Sequence, residues 1–128
     1  MADYAARFLA ELPAAQGGSV AADVRRCIYL LLPLGRATIV QIAESLGMNV
    51  RTLQRRLGDS GLAFGGLVAE VRRELAPRYI GNPRYPMARV AEQLGYAQPS
   101  SFTRWFAAEF GMPPGQWRER EQAKPASP

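Results

Sequence analysis

Residues 42–57 read IAESLGMNVRTLQRRL, and residues 90–106 read VAEQLGYAQPSSFTRWF. The two stretches match at an offset of 48 as far as Gly47 and Gly95, and at an offset of 49 after these glycines. Both place apolar residues, a small alanine and a glycine at the spacing of a helix-turn-helix, in which a second helix follows a tight turn. The repeat therefore predicts two such units in one chain, the second with one extra residue in its turn.

The residues around the first repeat carry the start and stop signals of two short helices. Thr38, followed by Gln41 three residues later, forms a capping-box pattern. Gly47 suits the left-handed position after a helix, and Asn49 can cap the next helix, which we expect over about 50–57. The connection of about three residues between the two helices is typical of this motif.

The remaining segments are also predicted to be helical. A stripe of apolar residues at 3.6-residue spacing follows a loop at 58–61 and predicts a longer helix, which we expect to bend or end near Pro77. Glu70 with Arg73, and Glu74 with Arg78, are interpreted as ion pairs along that helix. Further helices are expected at 3–12 and, after a flexible joint at Gly17-Gly18, at 20–32. The remaining ones are expected at 86–94, 98–110 and around Trp117. No segment carries strand signals, so we predict an all-α fold.

Composition limits the class of protein. The chain has 128 residues, which is one ordinary domain or two very small ones, and 48% of them are hydrophobic. No apolar run approaches the roughly 20 residues that span a bilayer, and no signal peptide is evident, so we expect no membrane partner. A single cysteine, Cys27, cannot form an internal disulfide, which fits a cytoplasmic protein.

The chain contains no histidine, which removes several common kinds of catalytic and metal site. It has no imidazole base, no histidine-paired nucleophile and no Cys/His zinc site. Cys27 falls on an apolar helix stripe and is interpreted as inert core. We therefore expect no catalytic residues, no metal and no cofactor, and the sequence does not indicate an enzyme.

Basic charge is concentrated in the part of the chain that carries the repeats. The formal net charge is +5, from 16 basic and 11 acidic residues, and residues 1–34 sum to zero. The excess in residues 35–128 would attract phosphate, an acidic protein or an anionic membrane surface. Charge alone leaves these partners open.

The second helix of each unit presents candidate base-contacting residues. Leu53 and Leu57 are four residues apart and should face the core, which turns Arg51, Gln54 and Arg55 outward. Arginine can bind guanine through two hydrogen bonds, and glutamine can bind adenine in the same way.

In the second unit Phe102 and Phe106 take the core positions. The outward positions are then held by Ser100, Thr103 and Arg104, a chemically weaker set. Trp105 and Trp117 are interpreted as packing residues. Four further residues are candidate phosphate contacts in the two units: Arg36, Asn49, Arg56 and Gln98.

The run LGYAQPSSFTRWFAAEFGMPPGQWR, residues 94–118, resembles the C-terminal DNA-binding domain of the AraC family of bacterial transcription regulators. The resemblance covers roughly residues 20–121. It implies about seven helices, with a long central helix (about 64–79) joining two helix-turn-helix subdomains. It also implies that both recognition helices enter adjacent major grooves, about 34 Å apart or on bent DNA, with base contacts at the six outward positions named above.

The resemblance also bears on the segments of the chain. Residues 1–18 resemble the end of a linker from an effector-binding or dimerising domain. Residues 122–128 are polar and contain proline, so we expect a disordered tail there. The two subdomains are expected at 19–62 and 83–121, with the linking helix at 63–82.

We conclude from the sequence that the chain binds specific duplex DNA as a cytoplasmic monomer, with RNA polymerase as a second candidate partner. The first unit is expected to discriminate between sequences and the second to anchor. The alternative is a helical protein-interaction module that applies its basic face to an acidic partner.

Overall fold

The computed structural model describes residues 19–124, which form seven α-helices and one short 3-10 helix and contain no β-strand. In chain order the helices are α1 (Val20–Leu31), the 3-10 helix (Leu32–Leu34), α2 (Ile39–Ser45), α3 (Val50–Asp59), α4 (Phe64–Ile80), α5 (Met87–Gln93), α6 (Pro99–Phe110) and α7 (Pro114–Ala123). The predicted all-α fold is confirmed. The helix expected at 3–12, the joint at Gly17-Gly18 and the last four residues of the expected tail lie outside the described residues.

Two compact units divide the chain between Arg72 and Arg73, inside α4. The described part of the first unit contains α1 to α3 and the first half of α4. The second unit contains the rest of α4 and α5 to α7. Each unit therefore contains one of the two helix-turn-helix motifs. No helix in the described range is long and apolar enough to cross a bilayer.

The core of the first unit is mainly aliphatic. Helices α1 and α3 each bury residues three or four positions apart, which is the spacing that places them on one helix face. The fully buried residues include Val24, Ile28, Leu32, Ile42, Leu53 and Leu57, each at most 1% exposed. An aliphatic stripe on α3 thus fixes which side of that helix faces outward.

Side-chain caps set the starts of α2 and α3, as the sequence predicts. The Thr38 hydroxyl oxygen accepts a hydrogen bond from the Gln41 backbone N–H at 3.2 Å. The Asn49 side-chain oxygen accepts one from the Thr52 backbone N–H at 2.8 Å. Each bond satisfies a backbone donor that the helix itself leaves unpaired.

We expect Asn49→Ala to destabilise the protein by about 1 kcal/mol, because it removes the cap of α3 and leaves that donor unpaired. The measurement is urea unfolding followed by far-UV circular dichroism. Gln98→Ala is the matched control, because Gln98 occupies the N-cap position of α6 without a side-chain hydrogen bond, and its expected change is within about 0.5 kcal/mol. Equal losses in the two variants would contradict the capping role.

Aromatic side chains dominate the core of the second unit. Phe102 and Phe106 are 1% and 0% exposed. The ring centroid of Phe106 lies 4.3 Å from that of Phe110 in a stacked pair, and 6.0 Å from that of Trp117, edge to face. Trp105 lies 6.4 Å from Phe106. Both tryptophans are half-buried packing residues, which confirms their predicted role.

Helix α4 continues through Pro77 to Ile80, so the expected end near Pro77 is not observed. Proline removes one backbone donor, but the last turn is held by packing, since Tyr79 and Ile80 are both 0% exposed. The last residue of α4 also accepts a hydrogen bond from outside the helix, because Nε of Arg118 donates to the Ile80 carbonyl at 2.7 Å. Burial lowers the pKa of the Arg118 guanidinium.

Other helix ends also differ from expectation. Helix α3 includes Gly58 and Asp59, which we expected in a loop, because the glycine that ends it is Gly61, with φ +73°. Pro86 occupies the N-cap position of α5, and α7 runs through Gln122 to Ala123, where we expected the tail to have begun.

The predicted ion pair between Glu70 and Arg73 is wrong. Oε2 of Glu70 instead lies 3.0 Å from Nη2 of Arg25, and Nη1 of Arg73 lies 3.7 Å from Oε2 of Glu109. Both carboxylates therefore pair with an arginine on another helix of their own unit, where tertiary packing brings the charges together.

Candidate nucleic-acid interface

The two helix-turn-helix motifs share the same backbone hydrogen bonds in their turns. In each, the glycine after the first helix donates to a glutamate carbonyl, and the next residue donates to the carbonyl of the small alanine. The matching bonds are Gly47 to Glu44 at 3.0 Å and Met48 to Ala43 at 2.9 Å, and Gly95 to Glu92 at 3.0 Å and Tyr96 to Ala91 at 3.0 Å. The sequence repeat is thus a structural repeat.

The turns differ after the glycine. Gly47 and Gly95 both have left-handed backbones, with φ +68° and +82°, a conformation that glycine adopts without a steric penalty. Helix α3 begins three residues after its glycine, whereas α6 begins four residues after. The extra residue predicted for the second turn is therefore present.

On the first recognition helix, α3, the expected faces are observed. Leu53 and Leu57 are 0% and 1% exposed, and Arg51, Gln54 and Arg55 are all exposed. Within residues 19–124 neither arginine has a hydrogen bond or ion pair to its guanidinium. Their charges are therefore available to a ligand. That this ligand is a DNA base stays a prediction.

Gln54 has a different setting from the two arginines. It borders a surface groove of about 410 Å³ whose other lining residues are mostly apolar: Ile39, Leu57, Leu62, Ala63, Phe64 and Gly65. Its side chain therefore stands at the edge of the exposed face, toward the start of α4. Arg51 and Arg55 are the two residues of the predicted trio that carry charge into solvent.

The second recognition helix, α6, offers fewer free donors. Ser100, Thr103 and Arg104 are all exposed, as predicted. The Thr103 hydroxyl donates to the Pro99 carbonyl at 3.0 Å, a bond within the helix that uses its only proton. Arg104 is the strongest group on this face.

The four predicted phosphate-contacting residues, Arg36, Asn49, Arg56 and Gln98, are all exposed. Asn49 already uses its side-chain oxygen to cap α3, which leaves its amide NH₂ group as a donor. Other exposed arginines of the second unit were not among the sequence candidates, and two of them, Arg84 and Arg89, lie just before or on α5. The 48-residue offset, which relates Arg84 to Arg36, is the signal that would have found the first of them.

Cys27 is half-buried on α1. Burial raises the pKa of its thiol, and the nearby Asp23 carboxylate raises it further. Both effects disfavour the reactive thiolate. The surroundings of Cys27 therefore do not activate its thiol as a nucleophile.

The chain is similar to known helix-turn-helix proteins. A family model described as "Helix-turn-helix domain" matches residues 42–120. The chain is 41% identical over 88 residues to the HTH-type transcriptional regulator VirS of Mycobacterium tuberculosis, covering 69% of this chain and 26% of that protein. It is 36% identical over 84 residues to the RCS-specific HTH-type transcriptional activator RclR of Escherichia coli, covering 65% of this chain and 30% of that one. The chain thus spans between a quarter and a third of the length of these relatives.

Two solved structures share the fold. A DNA-binding transcriptional dual regulator from Escherichia coli K-12 matches with a TM-score of 0.77 and 25% identity, covering 88% of this chain and all of that one (100%). The transcriptional regulator CdpR of Pseudomonas aeruginosa matches with a TM-score of 0.65 and 28% identity, over 93% of this chain and 36% of CdpR. Both are regulators of transcription by their descriptions.

Proposed function

Because this chain belongs to the AraC family of helix-turn-helix transcription regulators and forms its DNA-binding domain, we propose that it binds specific duplex DNA through α3 and α6. The observation that carries this proposal is the exposed face of α3, where Arg51 and Arg55 have no partner within the described residues and the helix is held by buried Leu53 and Leu57. In a helix-turn-helix this face of the second helix enters the major groove.

Phosphate contacts and base contacts contribute differently to binding. The predicted phosphate contacts supply most of the affinity and set the register of the protein on the duplex; they are Arg36, Asn49, Arg56 and Gln98. Base contacts supply the sequence preference, because Arg51 and Arg55 can each bind a guanine edge through two hydrogen bonds. The first unit therefore discriminates between sequences.

The second unit mainly anchors. Its recognition helix has one arginine, Arg104, and the Thr103 hydroxyl is already bonded within the helix. We expect Arg104 to define one preferred base and the rest of the half-site to be read weakly. Both units lie in one chain, so the domain binds as a monomer. We place it in the cytoplasm with the DNA that it binds, and RNA polymerase stays a predicted second partner.

The helical protein-interaction module that the sequence left open is not favoured. The matching family model describes a helix-turn-helix domain, and the similar proteins are described as regulators of transcription. The arginines of α3 lie on the recognition helix of the motif. This exposed basic face supports DNA, and not an acidic protein, as the partner.

The test is a selection of bound duplexes from a random pool, run in parallel with the wild type and Arg104→Ala. We expect the wild type to enrich a motif with one well-defined half-site and one weaker half-site. Arg104→Ala should lose the preferred base of the weaker half-site and keep the other half-site unchanged, because the two helices read separate base pairs. A wild-type pool without any enriched motif would overturn the proposal.

A further inference from the structure

The second recognition helix is poor in groups that bind phosphate. Helix α6 carries one basic residue, Arg104, and one acidic residue, Glu109. Helix α3 carries three arginines and one acidic residue, Asp59. A unit that anchors the protein on DNA needs cations, and α6 supplies only one. Other residues of the second unit must therefore provide the remaining charge.

Arg84 in the second unit and Arg36 in the first unit occupy matching positions of the structural repeat. It lies three residues before the first residue of α5, Met87, just as Arg36 lies three residues before Ile39, which begins α2. The helices that follow have the same length, seven residues, and end in turns with matching hydrogen bonds. The two arginines thus occupy equivalent places at the entrance of each helix-turn-helix.

A well-bonded turn holds the backbone at Arg84. The Asn82 side-chain oxygen accepts a hydrogen bond from the Arg84 backbone N–H at 3.0 Å, and the Asn82 carbonyl accepts one from the Tyr85 backbone N–H at 3.1 Å. The Tyr85 ring packs 6.1 Å from the ring of buried Tyr79. These contacts fix the point from which the side chain extends, which reduces the entropy lost when it binds.

The charge of Arg84 is not neutralised inside the described part of the chain. Its side chain is exposed, and its guanidinium has no hydrogen bond or ion pair there. No acidic residue occurs in the sequence between Glu74 and Glu92. A phosphate approaching this turn would meet no carboxylate of the same segment, and the local field favours an anion.

We propose that Arg84 binds a backbone phosphate of the half-site that α6 reads, and so supplies anchoring charge that the recognition helix lacks. The inference rests on the proposed DNA-binding function. The first helix of a helix-turn-helix crosses the DNA backbone, so a cation on the turn immediately before α5 lies on the backbone side of the motif. Arginine suits this contact because its planar guanidinium can donate two parallel hydrogen bonds to phosphate oxygens.

The test is a set of binding titrations over a range of salt, with the selected duplex and a scrambled duplex. Arg84→Ala is expected to weaken binding to both duplexes by a similar factor, about tenfold at low salt, and to reduce the slope of log affinity against log salt by about 1. Arg84→Lys should keep most of the slope, because it keeps the charge. Arg120→Ala is the matched control: it removes one exposed charge from α7, outside the helix pair, and should change the slope by less than half as much.

A duplex with single methylphosphonate substitutions locates the contact. Neutralising one particular phosphate of the α6 half-site should weaken wild-type binding and have no further effect on Arg84→Ala. If Arg84→Ala behaves as Arg120→Ala does, or if it changes base preference, the phosphate assignment is overturned while DNA binding stands. If the wild type itself shows no salt-dependent duplex binding, both the proposed function and this inference fail. Unchanged thermal unfolding of Arg84→Ala is the check that the second unit is intact.

Discussion

Arg55→Ala is expected to weaken binding to the selected duplex by about 1–3 kcal/mol, or roughly 5- to 150-fold, while changing the salt dependence little. Arg55 is exposed on α3 and has no partner for its guanidinium within the described residues. Removing a guanidinium that binds a guanine edge loses two hydrogen bonds and leaves the base acceptors unpaired. The measurement is a titration of end-labelled selected and scrambled duplexes at several salt concentrations.

Arg56→Ala is the matched control for this experiment, because Arg56 is the next residue of the same helix and is also exposed. As a predicted phosphate contact, it should contribute equally to both duplexes, so its loss should lower the salt slope by about 1 and leave the preference between duplexes unchanged. If Arg55→Ala instead weakens both duplexes equally, Arg55 contacts the backbone and not a base.

Phe106→Ala is expected to lower the free energy of unfolding by about 3–5 kcal/mol. Phe106 is 0% exposed, and its ring packs against Phe102, Phe110 and Trp117. Truncation leaves a cavity that these rings can fill only in part, and the loss is a large share of the roughly 5–15 kcal/mol that stabilises a small domain. Urea unfolding followed by far-UV circular dichroism gives the value.

The control for this variant is Thr103→Ala, an exposed position on the same helix, where the expected change is within about 0.5 kcal/mol. A loss below about 1 kcal/mol for Phe106→Ala would show that the aromatic cluster repacks around the missing ring, and would contradict the close packing described for the second unit.

The sequence predicted the fold well where local chemistry decides it. Helix ends are set by hydrogen bonds or backbone angles within three or four residues, as at Thr38, Asn49 and Gly47. Such ends can be predicted without tertiary information. The misplaced boundaries have another cause. Helix α3 continues through Gly58, and α4 continues through Pro77, because each helix has a later stop or a buried last turn that outweighs local propensity.

The candidate site was predictable to a similar extent. Two leucines four residues apart fix the faces of α3, so the exposure of Arg51 and Arg55 follows from spacing alone. The ion-pair partners of charged residues could not be predicted from residue spacing. Glu70 pairs with Arg25, which is 45 residues away in the sequence, and only the tertiary fold brings them together. Arg84 was not among the predicted contacts, because the local spacing rules that place Arg51 and Arg55 on a helix face do not apply to a residue on a turn before α5.

The aromatic core of the second unit has a practical consequence for spectroscopy. The chain has 2 tryptophans, Trp105 and Trp117, and both lie in that core. Intrinsic emission excited at the indole band therefore follows the environment of the second unit, whereas ellipticity follows helices in both. If the two signals change at the same denaturant concentration, the units unfold as one cooperative body. If they separate, the emission midpoint is the stability of the anchoring half alone, measured without any label.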